Sequence, residues 1–213
     1  MIVTDVETTG LKPRLGHSIV SIGAVHFENP KNTFYVECRP FDGAIINPEA
    51  MRVNGATWLA DPSKPSMKEA LEDFIDWTHG IEGNRELAGS NINFDRGFLI
   101  DSAERYQIAW DPGHHPVDVS DWYLMSLNLR GIPVPTSFRT DTIFEYVGLG
   151  PEPKPHKAIT GAKMEAEAFA RLLGRGLLEQ YADRPIPGYL LRMNEFSALL
   201  RRQESSKEKV RRT

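Results

Sequence analysis

Three apolar, β-branched segments within the first 40 residues place the strongest constraint on how this 213-residue chain can fold. They cover residues 2–7, 19–27 and 32–40, and Val, Ile, Thr and aromatic residues favour strands. The second and third segments are joined by the turn-forming sequence Glu-Asn-Pro-Lys. We therefore predict that the chain begins with three consecutive strands in an antiparallel meander.

Helical and strand patterns alternate after this meander. The predicted elements are a helix over 66–80, a short strand over 85–91, a helix beginning near Phe94, a strand and helix over 114–129, and a last helix over 159–174. This order predicts an α/β fold with a mixed β-sheet, in which a three-strand antiparallel meander is joined by parallel strands and flanked by helices. We assign residues 1–180 to one domain and residues 181–213 to a C-terminal helix and basic tail.

The composition narrows the class of protein. Hydrophobic residues make up 40% of the chain and charged residues 25%, which fits neither a disordered nor a membrane-spanning protein. The lone cysteine, Cys38, cannot form an internal disulfide framework or a cysteine-built metal site. No apolar run approaches ~18 residues, and the first residues lack the features of a secretory signal. We therefore expect a cytoplasmic protein without a membrane partner.

Charge is distributed unevenly along the chain. The last 13 residues hold six Lys or Arg and two Glu, which is +4, so with a total of −4 the first 200 residues carry −8. An acidic body does not bind nucleic acid by charge alone, and any action on phosphates requires cations. The basic tail has two open interpretations: it keeps the chain end soluble, or it attracts a polynucleotide strand.

Acidic residues follow two of the predicted strands. Asp5 and Glu7 are separated by one residue, so both side chains point to one face of the first strand. Asp95 begins a helix after another strand, and α/β folds collect ligands at strand ends. These carboxylates either are solvated acids and helix-capping groups or converge on a ligand.

The segments around these acids resemble the motifs of the DEDD exonucleases of the ribonuclease H-like superfamily, in the histidine-bearing branch that includes polymerase proofreading subunits and ribonuclease T. The resemblance covers roughly residues 1–175. It rests on Asp-Val-Glu-Thr-Thr-Gly at 5–10, on Ser-Asn-Ile-Asn-Phe-Asp-Arg-Gly-Phe-Leu at 90–99 and on the segment from Pro155 to Phe169. Three motifs in this order are far more specific than an isolated Asp-x-Glu.

This resemblance implies a metal-dependent 3′-to-5′ exonuclease that releases nucleoside 5′-monophosphates from single-stranded DNA or RNA. Two Mg²⁺ or Mn²⁺ ions would be bound by acidic residues including Asp5, Glu7 and Asp95, and His156 would deprotonate the attacking water. A pair of such ions suits phosphodiester hydrolysis and offsets the repulsion between the acids. The resemblance also implies that the terminal nucleotide is contacted by a set of residues near the first two motifs: Thr8, Thr9, Gly10, Leu11 and Asn91.

The third motif departs from the family pattern, because Gly161 stands where the last metal-binding Asp is expected. Glu165 lies one helical turn later, on nearly the same face and ~6 Å along the axis. Its side chain leans toward the helix N-terminus, where Gly161 leaves space. We predict that Glu165 faces the buried side of the helix and replaces the missing ligand, whereas Glu167 is predicted to be solvated surface.

Two further hypotheses remain open from the sequence. The chain could be a catalytically weakened module that binds nucleic acid or a partner and has lost turnover with the fourth acid. It could also be an enzyme that works as a homodimer or beside a polymerase or another protein, with residues 188–213 as the attachment helix. The sequence does not decide between DNA and RNA.

Overall fold

The computed structural model of the chain describes residues 1–191, so the predicted basic tail and most of the predicted C-terminal helix lie outside the described residues. Within this range the strands are Ile2–Thr8 (β1), Ile19–His26 (β2), Thr33–Glu37 (β3), Leu87–Gly89 (β4) and Val117–Asp118 (β5). The α-helices are Pro48–Asn54 (α1), Met67–His79 (α2), Ile92–Tyr106 (α3), Val119–Leu129 (α4), Thr140–Tyr146 (α5) and Ala158–Leu172 (α6).

The described strands form one mixed sheet in the order β3-β2-β1-β4-β5. β1 pairs antiparallel with β2, and β2 pairs antiparallel with β3. β1 pairs in parallel with β4, and β4 in parallel with β5. The predicted antiparallel meander with added parallel strands is therefore confirmed.

Helices cover both faces of the sheet, and the alternation along β1 decides which residue faces which layer. Ile2 and Val6 belong to an apolar cluster with residues of α2 and α3. Val3 belongs to a second cluster with residues of α4, α5 and α6. Asp5 and Glu7 share the face of Val3, which directs them toward the α6 side at the end of the strand.

The carboxyl ends of the parallel strands lie at one edge of the sheet. β1 ends at Thr8, β4 ends at Gly89, and β5 ends at Asp118, directly before α4. Crevices at the carboxyl ends of parallel strands are where open α/β sheets bind ligands. This edge therefore positions the candidate site.

α6 crosses the sheet in very close contact. A Cβ atom on Gly23 of β2 would lie 2.2 Å from the backbone carbon of Ala158, so only glycine permits this approach. Small residues along α6 allow packing on every side, and nearly all of its residues are buried. The predicted buried position of Glu165 is confirmed, since that residue is 5% exposed.

The prediction that Glu167 is solvated surface is wrong. Glu167 is 1% exposed and accepts a hydrogen bond of 2.8 Å from Nε of Arg171, which is also 1% exposed. The second carboxylate oxygen of Glu167 accepts hydrogen bonds from the backbone N–H groups of Leu177 and Leu178. A helix that is buried all round has no solvated face, so helical spacing alone could not identify one.

Arg171 joins α6 to two neighbouring segments. Its guanidinium donates to four backbone carbonyl groups, which belong to Val147, Gly148, Tyr181 and Arg184. Tyr181 and Leu190 belong to the same buried cluster as α6. The chain therefore continues to pack against the body beyond residue 180, where we predicted the domain boundary. No helix in residues 1–191 has the length and apolar character needed to cross a membrane.

We predict that Arg171→Met lowers the free energy of unfolding by about 3–5 kcal/mol, because it leaves Glu167 buried without its cation. Chemical denaturation monitored by circular dichroism measures this change. Arg52→Met is the matched control, since Arg52 forms an exposed ion pair with Glu49 on α1 and its loss should have little effect. Equal effects of the two substitutions would contradict the prediction.

Candidate active site

Acids from three separate parts of the chain meet at the sheet edge. Asp5 comes from β1, Asp95 from the first turn of α3 and Glu165 from the middle of α6, and all three line one cavity of about 670 Å³. Oδ1 of Asp95 accepts a hydrogen bond of 2.9 Å from the N–H of Val6, which ties α3 to β1. His156 and Asn91 also line the cavity. The structure therefore brings together these five residues of the predicted site.

Gly161 makes room for the carboxylate of Asp5. A Cβ atom at position 161 would lie 2.3 Å from Oδ2 of Asp5, which is shorter than any normal contact. The space beside Gly161 is thus occupied by an acid from β1. With this orientation of Asp5, a side chain at position 161 cannot be accommodated.

Glu165 is buried against the end of β4. Its Oε2 atom would lie 3.0 Å from a Cβ atom on Gly89, so the absence of a side chain at Gly89 leaves room for it. The backbone N–H of Ser90 interacts with the Glu165 carboxylate and favours its charged form. Oε2 is buried and has no hydrogen-bond partner. A buried carboxylate oxygen without a partner is costly, and a cation would satisfy it.

Glu152 is a residue of this site that the sequence interpretation missed. It lies in the loop between α5 and α6, and its side chain is 12% exposed. Oε2 of Glu152 is 3.5 Å from Nδ1 of His156. One ligand atom from each of Glu7, Glu152 and His156 lies within 4.8 Å of the others. The sequence did show an acid four residues before the predicted base. A loop has no periodicity, however, so the direction of the Glu152 side chain could not be predicted.

Burial and mutual repulsion raise the pKa values of these acids. Burial raises the pKa of Asp5 to about 7, partly opposed by the N–H of Val6. Burial, with repulsion from Asp5 and Glu152, raises the pKa of Glu7 to about 9. Burial, with repulsion from Asp5 and Asp141, raises the pKa of Glu152 to about 8. The pKa values of Asp95 and Glu165 are also raised, by burial first and by Asp5 second.

The pKa of His156 is shifted in the opposite direction. Burial lowers it first, and the positive charge of Lys154 lowers it further, against a raising effect of Asp141. A neutral imidazole near neutral pH can accept a proton. The backbone N–H of His156 donates to the carbonyl of Val53, which anchors the loop to α1.

The donor set fits hard divalent cations. It consists mainly of carboxylate oxygens, which Mg²⁺ and Mn²⁺ prefer. Buried oxygens of Glu152 and Glu165 have no hydrogen-bond partner. Within residues 1–191, no Lys or Arg forms an ion pair with any of the five acids Asp5, Glu7, Asp95, Glu152 and Glu165. The cavity therefore has acidic groups that bound protons or an added cation can neutralise.

The segment after β1 differs in exposure from residue to residue. The hydroxyl of Thr8 donates to the carbonyl of Gly10, and the hydroxyl of Thr9 donates to the carbonyl of Ile45. Both hydroxyl protons are therefore used within the protein. Leu11 is 72% exposed, which leaves its apolar side chain free for contact with a ligand.

Asn91 occupies the N-cap position of α3, which begins at Ile92, two residues before the predicted start. Its backbone is left-handed, with φ of 54°, and its side chain makes no capping hydrogen bond. Asn91 therefore marks the start of α3 without capping the helix through its side chain. Its position on the cavity wall is compatible with the predicted substrate contact.

We predict that the metal-free protein loses stability as the pH rises from about 7 to about 9. The ordinary pKa values near 4 apply to the unfolded chain, so the folded state holds protons that the unfolded state has released, and raising the pH favours unfolding. The raised pKa values of Glu152 and Glu7, about 8 and about 9, lie in this window. His156, with its lowered pKa, opposes this trend only at more acidic pH.

Thermal melting in a chelator measures this effect. One pKa unit corresponds to about 1.4 kcal/mol, and 1 kcal/mol shifts the melting temperature of such a domain by about 2–4 °C. We expect a decrease of at least about 5 °C across the window and a smaller decrease for Glu7→Gln, which cannot ionise. A melting temperature that is constant or rises with pH would contradict the prediction.

Comparison with known proteins relates this chain to nucleases. A family model for RNase T, described as an exonuclease, matches residues 2–169. The DNA polymerase III subunit epsilon of Pasteurella multocida is 37% identical over 107 residues, which cover 46% of this chain and 39% of that protein. The PolC-type DNA polymerase III of Thermotoga petrophila is 27% identical over 175 residues, covering 81% of this chain and 12% of that protein. The chain thus spans less than half the length of these curated relatives.

A solved structure has the same fold. The nuclease domain of 3′hExo, described as a DEDDh family member bound to rAMP, aligns with a TM-score of 0.65 at 17% identity. The alignment covers 87% of this chain and 94% of that structure. The likeness confirms the predicted ribonuclease H-like fold.

Proposed function

Since the chain belongs to the RNase T exonuclease family, we propose that it is a metal-dependent 3′-to-5′ exonuclease that releases nucleoside 5′-monophosphates from single-stranded nucleic acid. One observation carries this proposal: Asp5, Asp95, Glu165 and His156 surround a single cavity at the carboxyl ends of the parallel strands. The family match supports nuclease chemistry for the chain, and the shared cavity supports the proposal that these residues act on one substrate.

Asp5, Glu7, Asp95 and Glu165 would hold two Mg²⁺ or Mn²⁺ ions. The ions would supply positive charge at the attacking and leaving oxygens of the phosphodiester. The residues themselves hold negative charge in a partly buried site, and Val6 and Ser90 stabilise two of the carboxylates through backbone N–H groups. The acids therefore provide a site that attracts cations and repels anions.

His156 is the proposed general base. Its lowered pKa favours the neutral imidazole at neutral pH, which is the form that accepts a proton from the attacking water. The acid Glu152 lies 3.5 Å from its Nδ1 and would stabilise the imidazolium that results. A phosphodiester bond is then cleaved as water adds to phosphorus and the 3′-oxygen of the preceding nucleotide leaves.

The 3′-terminal nucleotide would lie beside the segment that follows β1. The exposed Leu11 offers an apolar surface for the last base, and Asn91 offers an amide on the cavity wall. Thr8 and Thr9 are buried and their hydroxyl protons are donated to backbone carbonyls. The N–H and C=O groups of Thr9 also bond within the protein, so the proposed contribution of both threonines is to fix the backbone of this segment. The acidic body favours a single strand, because a duplex presents more phosphate charge.

The name of the Pasteurella relative describes a subunit of a DNA polymerase. A polymerase partner for this chain therefore stays a proposal beside the predicted homodimer. The attachment helix predicted at 188–213 lies almost entirely outside the described residues. The relative rates on DNA and RNA oligonucleotides of equal length would show which of the two this chain prefers.

We predict that the purified protein shortens 5′-labelled single-stranded DNA or RNA into a ladder in Mn²⁺ or Mg²⁺ and not in chelator. A 3′-labelled substrate should release labelled mononucleotide first, which establishes the direction. His156→Ala should lower the rate by about 10²–10⁴-fold through loss of the base. Metal-dependent binding of the oligonucleotide without shortening would instead support the catalytically weakened module suggested by Gly161.

We predict that Glu165→Gln lowers the Mn²⁺-dependent rate at least about tenfold, because a buried carboxylate that fills a ligand role is lost. Glu179→Gln is the control, since Glu179 is exposed and does not line the cavity. Single-turnover release of nucleotide measures the rate. If both variants act at the wild-type rate, Glu165 does not replace the missing acid.

A further inference from the structure

Gly161 stands where the family motif has an acid, so the proposed cation site is short of one ligand. Glu165 enters the cavity beside Gly89 and Ser90 at the end of β4. Its charge interacts with those of Asp5, Asp95 and Glu152. Glu7 on β1 has a different neighbouring acid, which comes from another part of the chain.

The loop between α5 and α6 supplies an acid at that position. Its sequence is Gly-Leu-Gly-Pro-Glu-Pro-Lys-Pro-His over 148–156, and three prolines restrict its backbone around Glu152. The loop is anchored at its end by the hydrogen bond from His156 N–H to the carbonyl of Val53. Glu152 is thus held in place by a segment that is neither helix nor strand.

The spacing of Glu7 and Glu152 suits one cation. A carboxylate oxygen of Glu7 lies within 4.8 Å of a carboxylate oxygen of Glu152. Ligands of one Mg²⁺ ion stand about 2.1 Å from it, so two of them lie at most about 4.2 Å apart. The observed spread therefore requires movements of a few tenths of an ångström, which side-chain rotation provides.

Carboxylate oxygens of Glu152 and Glu165 that lack hydrogen-bond partners also indicate that the cavity binds a cation. Oε1 of Glu152 is buried without a hydrogen-bond partner. Oε2 of Glu165 is likewise buried without a hydrogen-bond partner. Glu165 is 5% exposed and lines the same cavity. Within residues 1–191, neither carboxylate forms an ion pair with Lys or Arg. Two unpartnered oxygens on residues that line one acidic cavity fit the binding of a cation.

We propose that Glu152 is a ligand of the divalent cation on the Glu7 side, so that two glutamates together replace the acid absent at Gly161. Glu152 would act beside Glu7 and Asp5, and Glu165 beside Asp95 and Asp5. Because Mg²⁺ and Mn²⁺ prefer oxygen, His156 stays free to accept a proton. This inference rests on the cation site of the proposed function and extends it to a residue outside the three family motifs.

The test is the affinity of the full chain for Mn²⁺, measured by isothermal titration calorimetry and by electron paramagnetic resonance of free Mn²⁺. We expect Glu152→Gln to weaken Mn²⁺ binding at least about tenfold and to reduce the Mn²⁺-induced rise in melting temperature. Glu145→Gln is the matched control on α5, because Glu145 is exposed and does not line the cavity. It should bind Mn²⁺ like wild type.

Misfolding can be separated from ligand loss. Gln keeps the volume of Glu and removes a charge that the other acids repel, so the metal-free variant should melt no lower than wild type. Wild-type Mn²⁺ affinity in Glu152→Gln would overturn the proposal. The same affinity with a shifted pH profile of nucleotide release would show instead that Glu152 acts only by orienting His156, which also overturns it.

A failure of the proposed role of Glu152 can be distinguished from a failure of the proposed exonuclease activity. A wild-type protein that binds Mn²⁺ but shortens no oligonucleotide would refute the exonuclease activity, while the comparison of Mn²⁺ affinities would still decide the role of Glu152. A wild-type protein that binds no Mn²⁺ would overturn the role of Glu152 directly.

Discussion

Mutual repulsion among carboxylates in a poorly solvated cavity is the constraint on which the rest of this structure depends. Asp5, Glu7, Asp95, Glu152 and Glu165 interact with one another through their charges, and burial raises the pKa of each. Backbone N–H groups of Val6, Ser90 and Lys157 oppose this cost only in part. Such an arrangement is costly for folding and useful for holding cations, which explains why the acids lie at a sheet edge rather than inside a core.

Two glycines determine how closely the acids can approach. Gly23 lets the first turn of α6 lie on β2, and Gly161 lets the carboxylate of Asp5 occupy space beside α6. The glycine at position 161 therefore influences the shape of the site and leaves that position of α6 without an acid. Glu152 and Glu165 line the same cavity as Asp5, and burial together with repulsion from Asp5 raises the pKa of both.

Much of the fold follows from local pattern. The meander, α2 with its N-cap at Ser66, and the strand-helix units were predictable because apolar spacing reflects which face of an element is buried. The burial of Glu165 was predictable for the same reason. The burial of Glu167 was not predictable, because the small residues of α6 allow neighbours to pack on every side. The ion pair of Glu167 with Arg171 stabilises the contact with residues 177–184.

The sequence by itself determined the order of strands and helices, the placement of Asp5 and Glu7 on the first strand and that of Asp95 near the start of a helix, since these depend on periodicity and on neighbouring residues. Only the tertiary structure decided that Glu152 enters the cavity and that Glu167 is neutralised by Arg171 away from it. The physical reason is that a loop has no repeating geometry and a fully buried helix has no polar face. The environment of an acid in either one is set by segments distant in the chain.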